Sequence, residues 1–477
     1  MAKKIIVNVM PEETRMALLE DSELSEVAIE RTDNAHIVGN IYKGKIKNIL
    51  PGMQAAFIDI GCDKNAFLYT GDISPQTMSG SGNLTVGQDI IVQIVKEPIG
   101  TKGPRATTNI TVPGRYIVLM PTVDYIGISR RIDQDSERER LKTLAGKIKA
   151  EGTGLIIRTV AQSKDEADLK KDADYLYNLW HSLAARAKRA HAPALLYRDV
   201  DMVIRVVRDH LTADVDQLIL DNREAYGRVC DLLKAISPEL VTKAVLYEGR
   251  EDVFDHFGIE KELEKLGQRC VWLKCGGYII IDRTEALTVI DVNTGKYVGD
   301  SSLEDTVFRT NLEAAAEIAR QLRLRDIGGI IIIDFIDMDT DEHKQAVLET
   351  LTGHLKKDRT KTNVIGLTGL GLVEMTRKKS RQNIESILYT ACPCCEGRGR
   401  VHSPETVSIN IRRRLRKLSS QASWQGDAIV QVHPTVAAIL NRGDEVASLQ
   451  KELGRSIMIE SVSSMHPEVF TILHHKQ

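Results

Sequence analysis

The chain has 477 residues, enough at roughly 100–200 residues per domain for several compact units, so a small stapled scaffold is excluded. Hydrophobic residues make up 42% and charged residues 27%, a globular balance that excludes wholesale disorder. Lys+Arg number 64 against 66 Asp+Glu, a formal charge of -2, which excludes indiscriminate polyanion binding over the whole surface but not local basic sites.

The apolar run 330–333 is far too short to cross a bilayer. The opening MAKKIIVNVMPEE meets acidic residues before a signal segment could be completed, so a cytoplasmic location is expected. The seven cysteines, at 62, 230, 270, 275, 392, 394 and 395, are an odd and mostly isolated set, which argues against a disulfide framework.

Residues 1–34 alternate with period two in IIVNVM and LSEVAIER, the mark of half-buried strands, but are too few to close a core and must pair with a later segment. From 37 onward, short alternating strands separated by Gly, Pro and Asn predict a small barrel. A Gly/Ser-rich stretch at 79–82 interrupts it as an exposed loop, and IIVQIVKEP resumes it. RYIVLMP and GLIIRTV read as buried strands, with a helix over SERERLKTLAGKIKA between them and a long helix over 164–189 that Pro193 ends. Helices and short strands alternate over 194–268. GYIIIDRTEALTVIDVN then predicts two strands joined by a polar turn, LEDTVFRTNLEAAAEIARQLRLRD an amphipathic helix, and GGIIIIDFIDM a fully buried strand, so a sheet covered on at least one face is expected. Beyond Met375 come the basic TRKKSR, the cysteine cluster, the helix INIRRRLRKL and a small αβ appendage.

The chemistry concentrates at two strand ends. Asp291 and Asn293 are two apart and share one face, while Asp334 follows four isoleucines, 43 residues after Asp291, the length a strand, helix and return strand require. Two carboxylates and an amide oxygen on one rim suit Mg²⁺, whose remaining ligands are water and a substrate phosphate, and such an ion promotes phosphodiester hydrolysis. The alternative is a pair of strand-end residues making turn hydrogen bonds. Asp337 falls on the opposite face from Asp334 if the strand continues. Cys392-Pro-Cys394-Cys395 supplies half of a four-ligand zinc site. Either Cys394 and His402 complete it locally or a second copy contributes the same pair; a reduced cysteine turn is the alternative. Phe57 and Phe67 can stack bases or fill the barrel core, with Lys43, Lys45, Lys47 and Lys64 nearby for phosphates. Lys102 and Arg105 contact phosphate or lie in a solvated loop. Arg158 beside Thr159 can fork onto a terminal phosphate or form an ordinary ion pair. The basic runs 377–381 and 412–417 fit solvated helix faces.

LPGMQAAFIDIG, GTKGPR, GISRRI, TVIDVNTG, NLEAAAEIARQLRLRDIGGIIIIDFIDM, GLVEMTRKK and CPCCEGRG, in this order, closely resemble the ribonuclease E/G family over nearly the whole chain. The resemblance implies a multidomain α/β protein. Its expected parts are a ribonuclease-H-like subdomain in two pieces (1–34 and 205–268), an S1-type OB barrel inserted at 35–112, a 5′ sensor at 113–204, a DNase-I-like catalytic subdomain at 269–389, a zinc link at 390–402 and a small αβ C-terminal domain at 403–477. The absence of a long disordered extension places the chain with the family's shorter members.

By the same resemblance Asp291 and Asp334 bind Mg²⁺, Asn293 orients the attacking group, and Cys392 and Cys395 share one Zn²⁺ with a second subunit, giving a homodimer and in some arrangements a tetramer. Phe57, Phe67 and Lys102 contact RNA, while Gly114, Val118, Arg130, Arg158 and Thr159 line a 5′-monophosphate pocket. Cys394 stands where other members carry a different residue, leaving its part in zinc binding open. The activity implied is Mg²⁺-dependent cleavage of single-stranded A/U-rich RNA, leaving a 5′-phosphate and a 3′-hydroxyl, in ribosomal RNA maturation and messenger RNA decay. A non-catalytic RNA-binding adaptor is the rival from another class, and a DNA nuclease a third.

Overall fold

The computed structural model describes residues 2–31, 37–73, 84–98, 102–296, 303–379, 383–421 and 426–475. It forms two compact units, Met1–Leu388 and Tyr389–Gln477. The loop expected at 79–82, and residues 380–381 of the first basic run, lie outside the described residues.

In the first unit, strands Lys3–Val9, Glu13–Glu20 and Glu23–Arg31 form an antiparallel meander whose first strand pairs in parallel with Gln217–Leu220, which in turn pairs with Ala244–Leu246. Lys3–Val9 is therefore the middle of five strands. Ile5 and Val7 enter one core, Ile6 another, and all three are buried. The expected half-buried strand is covered on both faces, because Val203, Val206, Val229 and Leu233 join the core on the Ile5 and Val7 side and Val253, Phe254, Ile259 and Leu263 that on the Ile6 side.

Strands Ile41–Leu50, Ala55–Asp59, Ala66–Tyr69, Asp89–Lys96 and Arg105–Thr107 close on themselves through the pairing of the first with the fourth, a five-stranded barrel that fits an OB fold. Its core is Ile46, Ile58, Leu68, Val92 and Ile94 with small Ala66 and Ala106. Gly44 lies where a Cβ would come within 2.4 Å of Ile58 and 2.9 Å of the Asp59 carbonyl, so only glycine lets these strands cross.

A four-stranded sheet follows, with Gly154–Ile157 between Ile126–Ile128 and Ile117–Met120. Against it pack helix Asp135–Ile148 and helix Glu166–Arg189. The long helix begins two residues later than expected because Asp165 caps it, its carboxylate accepting from the Asp168 N–H at 2.9 Å. It ends at Arg189, ahead of Pro193, with Ala190 already extended.

The last sheet of this unit runs Cys270–Trp272, Tyr278–Arg283, Leu287–Asn293, Gly329–Asp334, Val373–Arg377 and Thr362–Leu367 in spatial order. Helices Leu303–Leu324 and Asp341–Leu355 join its core through Ala314, Ile318, Leu322, Val347 and Leu351, which meet Ile290, Ile331 and Ile333. Covering one face breaks the isoleucine run into alternation: Ile331 and Ile333 are buried, whereas Ile330 is 50% exposed. The strand is thus not fully buried, as its composition suggested. Arg377, assigned above to a solvated helix face, instead ends a strand and is buried in ion pairs with Asp358 at 2.7 Å and Asp326 at 2.6 Å.

The second unit holds helix Pro404–Ser419 and a sheet of Asp427–Val432 between Ile457–Ser461, parallel, and Phe470–His475, antiparallel, with two further helices, Pro434–Leu440 and Glu445–Leu453. On helix Pro404–Ser419, Arg412 pairs with Glu445 and Arg416 with Glu452 at 2.7 Å. No helix among the described residues is long and apolar enough to cross a membrane.

Candidate functional site

Strands Leu287–Asn293 and Gly329–Asp334 run parallel and adjacent, and their register places Asp291 opposite Asp334. Neighbouring strands lie about 4.8 Å apart, so two carboxylates leave the sheet edge side by side. Asn293, two residues past Asp291 on the same face, donates from Nδ2 to Asp291 Oδ2 at 2.8 Å, which fixes the rotamers of both. Beyond Asp334 the chain leaves the strand: Phe335 turns into the core, and Asp337 joins Asp291, Asn293 and Asp334 around a cavity of about 300 Å³. The reading that set Asp337 on the opposite face assumed a continuing strand, and the strand stops at Asp334.

Burial, then the charges of Asp291 and Asp337, hold the Asp334 carboxyl above the ordinary carboxylate range. Like charges crowded at one rim are relieved by a cation, so this donor set fits Mg²⁺. Among the described residues no three His, Cys, Asp or Glu side chains are grouped so as to hold an ion by themselves. An ion at this rim would draw further ligands from water and a phosphate, as Mg²⁺ does.

On the barrel, Phe57 and Phe67 are register partners on adjacent strands, their rings 5.8 Å apart and edge to face. Ala56, Ile58, Ala66 and Leu68 point inward, which turns both rings outward, half-exposed. Tyr69 extends the row at 6.1 Å from Phe67 and is 42% exposed. Its position, two after Phe67, was the signal that sequence reasoning missed. Arg105 flanks the row, paired with Asp72 at 2.9 Å and 6.0 Å from the Tyr69 ring centroid. Lys102 is exposed. Two of the lysines considered for phosphates are committed elsewhere: Lys43 to Asp89 and the Ala190 carbonyl, Lys47 to Asp59.

Arg158 follows strand Gly154–Ile157. Its Nη1 donates to the Gly114 carbonyl at 2.6 Å and its Nη2 to Asp209 Oδ1 at 2.6 Å. Gly114 itself has no room for a side chain, because a Cβ would come within 2.6 Å of the Asp172 carboxylate, which accepts the N–H groups of Arg115, Tyr116 and Ile117. The Thr159 hydroxyl meets that of Ser129 at 2.8 Å, beside the exposed Arg130. Val118 is half-buried opposite Ile156. The structure therefore joins Gly114 to Arg158 directly and Thr159 to the segment carrying Arg130. It adds Asp209, which sequence reasoning did not single out. Burial pushes the Asp209 carboxyl up, but Arg208 and Arg158 outweigh it and bring it down to about 2.

In the second unit, Cys392 and Cys395 bracket a tight turn, closed by Glu396 N–H to Cys392 O and Arg398 N–H to Cys395 O, both 2.8 Å, with Glu396 and Gly397 at positive φ. The backbone N–H groups of Cys395 and Cys394 lower the Cys392 thiol below its ordinary value. That favours the thiolate zinc requires, so the turn fits as half of a zinc site. His402 Nδ1 lies 2.9 Å from Glu468, and the Cys394 carbonyl meets His466 Nε2 at 2.6 Å. A carboxylate on one ring nitrogen leaves the other able to bind a metal, so the local completion and the shared one both stay open.

Residues 111–380 match the model of the ribonuclease E/G family, and residues 391–475 match that of the RNase E/G thioredoxin-like domain. The chain belongs to the ribonuclease E/G family. It is 44% identical to ribonuclease G of Escherichia coli strain K12, over 99% of this chain and all of that protein. It is 41% identical to ribonuclease G of Haemophilus influenzae, over 99% of each. Ribonuclease E of Nostoc sp. matches at 41% over 80% of this chain and 57% of its own length. Within the family the chain is most like ribonuclease G.

Proposed function

We propose that the protein is an Mg²⁺-dependent endoribonuclease that cuts single-stranded, A/U-rich RNA to a 5′-phosphate and a 3′-hydroxyl and works faster on 5′-monophosphorylated ends. Family membership makes the chain an endoribonuclease. The observation that carries the metal-dependent mechanism is the opposed pair Asp291 and Asp334, with Asn293 hydrogen-bonded to the first.

When bound, Mg²⁺ supplies positive charge to the scissile phosphate and lowers the pKa of a water. The chain's own part is positional. Asp291 and Asp334 hold the ion at the strand ends, and Asn293 keeps Asp291 aimed and places an amide beside the reacting phosphate. The outward row of Phe57, Phe67 and Tyr69 stacks unpaired bases without demanding a sequence, and Lys102 lies ready for the backbone. Gly114, Val118, Arg130, Arg158 and Thr159 receive the 5′ phosphate, which competes with Asp209 for the Arg158 guanidinium.

With Cys392 and Cys395 supplying two of the four ligands, a Zn²⁺ shared with the same pair of a second copy makes a homodimer the working form, with ribosomal RNA precursors and messenger RNA in the cytoplasm as its substrates.

The experiment is cleavage of a 5′-monophosphorylated single-stranded RNA by the wild type, Asp291→Asn and Asp334→Asn, with Mg²⁺ and with EDTA. Both variants should lose cleavage while still binding RNA. Wild-type rates in either variant would remove the metal assignment, and equal wild-type rates on 5′-monophosphate and 5′-triphosphate RNA would remove the 5′-end preference.

A further inference from the structure

A buried side chain beside the acidic cavity has no part in the mechanism given above. Asn311 lies in the middle of helix Leu303–Leu324, fully buried, where asparagine is a poor helix former and an unmet amide is costly. Both halves of that amide go to the backbone of a single residue outside the helix. Its Nδ2 donates to the Ile336 carbonyl at 2.8 Å, and its Oδ1 accepts from the Ile336 N–H at 3.1 Å.

A side-chain carboxamide presents a donor and an acceptor in one plane, so it can satisfy both polar groups of a residue as a neighbouring strand would. Ile336 needs such a partner, because the strand that carries Asp334 ends two residues before it. Phe335, 5% exposed, anchors the residue before the clamp in the core. Asp337 follows directly after the clamp and lines the cavity with Asp291, Asn293 and Asp334. With the Ile336 backbone released, nothing in the ladder would set the direction in which the chain leaves Asp334.

We propose that Asn311 is a positioning residue for the acidic site: it holds the Ile336 backbone so that Asp334 faces the cation, with Asp337 on the same cavity wall reaching the ion through a bound water. This rests on the reading of the site as a divalent-metal site, and it extends that reading to two residues that touch or support the ion's surroundings. Outer partners that aim metal ligands typically matter by about 10- to 100-fold in metal affinity or activity.

The test uses the full-length protein, with Mn²⁺ as the probe. Mn²⁺ binding is measured by titration calorimetry, kcat and KM are measured separately on a 5′-monophosphorylated RNA, and RNA affinity is measured in EDTA. The variants are Asn311→Leu, the milder Asn311→Ser should the first fail to fold, Asp337→Asn, the double variant, and Asp334→Asn as reference. Asn311→Leu should weaken Mn²⁺ binding and lower kcat by about tenfold or more, with KM and metal-free RNA affinity close to wild type. Raised Mn²⁺ should restore part of the rate, and adding Asp337→Asn should cost little more than either change alone, because the two act as a unit. Normal Mn²⁺ binding and kcat in both Asn311 variants, or fully additive losses in the double variant, would overturn the proposal. Undiminished Mn²⁺ binding in Asp334→Asn would instead overturn the metal-site reading on which it rests.

Discussion

Asp291 and Asp334 stand opposite each other on adjacent parallel strands, and the second carboxyl is held above its ordinary range by burial and by the charges of Asp291 and Asp337. A carboxyl whose folded pKa is raised contributes stability below its unfolded value, about 3.9, and loses it as pH rises through the folded value. At neutral pH the ionised Asp334 therefore works against the metal-free fold. Asp334→Asn should melt higher than the wild type in EDTA, by about 1–3 °C given solvent screening of an exposed carboxylate. Added Mg²⁺ should raise the wild type and close the gap. Thermal melts with and without the ion check this, and a lower melting point for Asp334→Asn in EDTA would contradict it.

How much of this site the sequence discloses depends on whether a feature is local or tertiary. Asp334 follows Asp291 by 43 positions, with an amphipathic helix between them, which predicts neighbouring parallel strands, so the opposed pair follows from spacing and period. Asp337 does not follow, because its direction depends on where the ladder stops and on Phe335 turning into the core. The four isoleucines read as a strand buried on both faces, yet both helices lie on one side, so Ile330 stays exposed; composition does not say which layer is missing. Likewise the basic stretch starting at Arg377 gives no sign that its first residue is buried against Asp358 and Asp326.

Arg158 is tied to Asp209, and Asp209 in turn to Arg208 at 2.9 Å. Burial alone would raise the Asp209 carboxyl, but the two guanidinium groups bring it to about 2. A depressed folded pKa contributes stability above the unfolded value near 3.9, lost as pH falls from there toward about 2. Asp209→Asn should therefore cost roughly 2–3 kcal/mol at neutral pH, with the difference from wild type shrinking as pH falls below about 4. Denaturant melts at a series of pH values check the sign. In cleavage assays, Arg158→Gln should bring the rates on 5′-monophosphate and 5′-hydroxyl RNA together, whereas a retained preference would place the sensor elsewhere.

Phe57, Phe67 and Tyr69 form a continuous outward row on the barrel, far in sequence from the acidic rim. If the row stacks bases, each loss to alanine removes roughly 1–3 kcal/mol of binding, about 5- to 150-fold in KM, with kcat little changed. Tyr69→Ala is the sharper case, since its position follows only from the two-residue period after Phe67. Michaelis parameters and fluorescence anisotropy on one short RNA check it; a change confined to kcat would take the row out of substrate binding.

The cysteine turn makes a prediction about assembly. Backbone N–H groups of Cys395 and Cys394 favour the Cys392 thiolate. A tetrahedral zinc held by Cys392 and Cys395 needs two more ligands, which on the proposed reading come from a second copy of the same turn. Zinc analysis of the purified protein should give about one ion per two chains, the count a shared four-thiolate site requires. Chelation or Cys395→Ser should release monomers on sizing, whereas Cys394→Ser should leave both the zinc content and the dimer unchanged, because the Cys392 and Cys395 pairs of two copies already fill the four positions of a tetrahedral zinc. A full ion per chain, or a dimer indifferent to Cys395→Ser, would mean that the second pair of ligands comes from within the chain or that another surface holds the copies together.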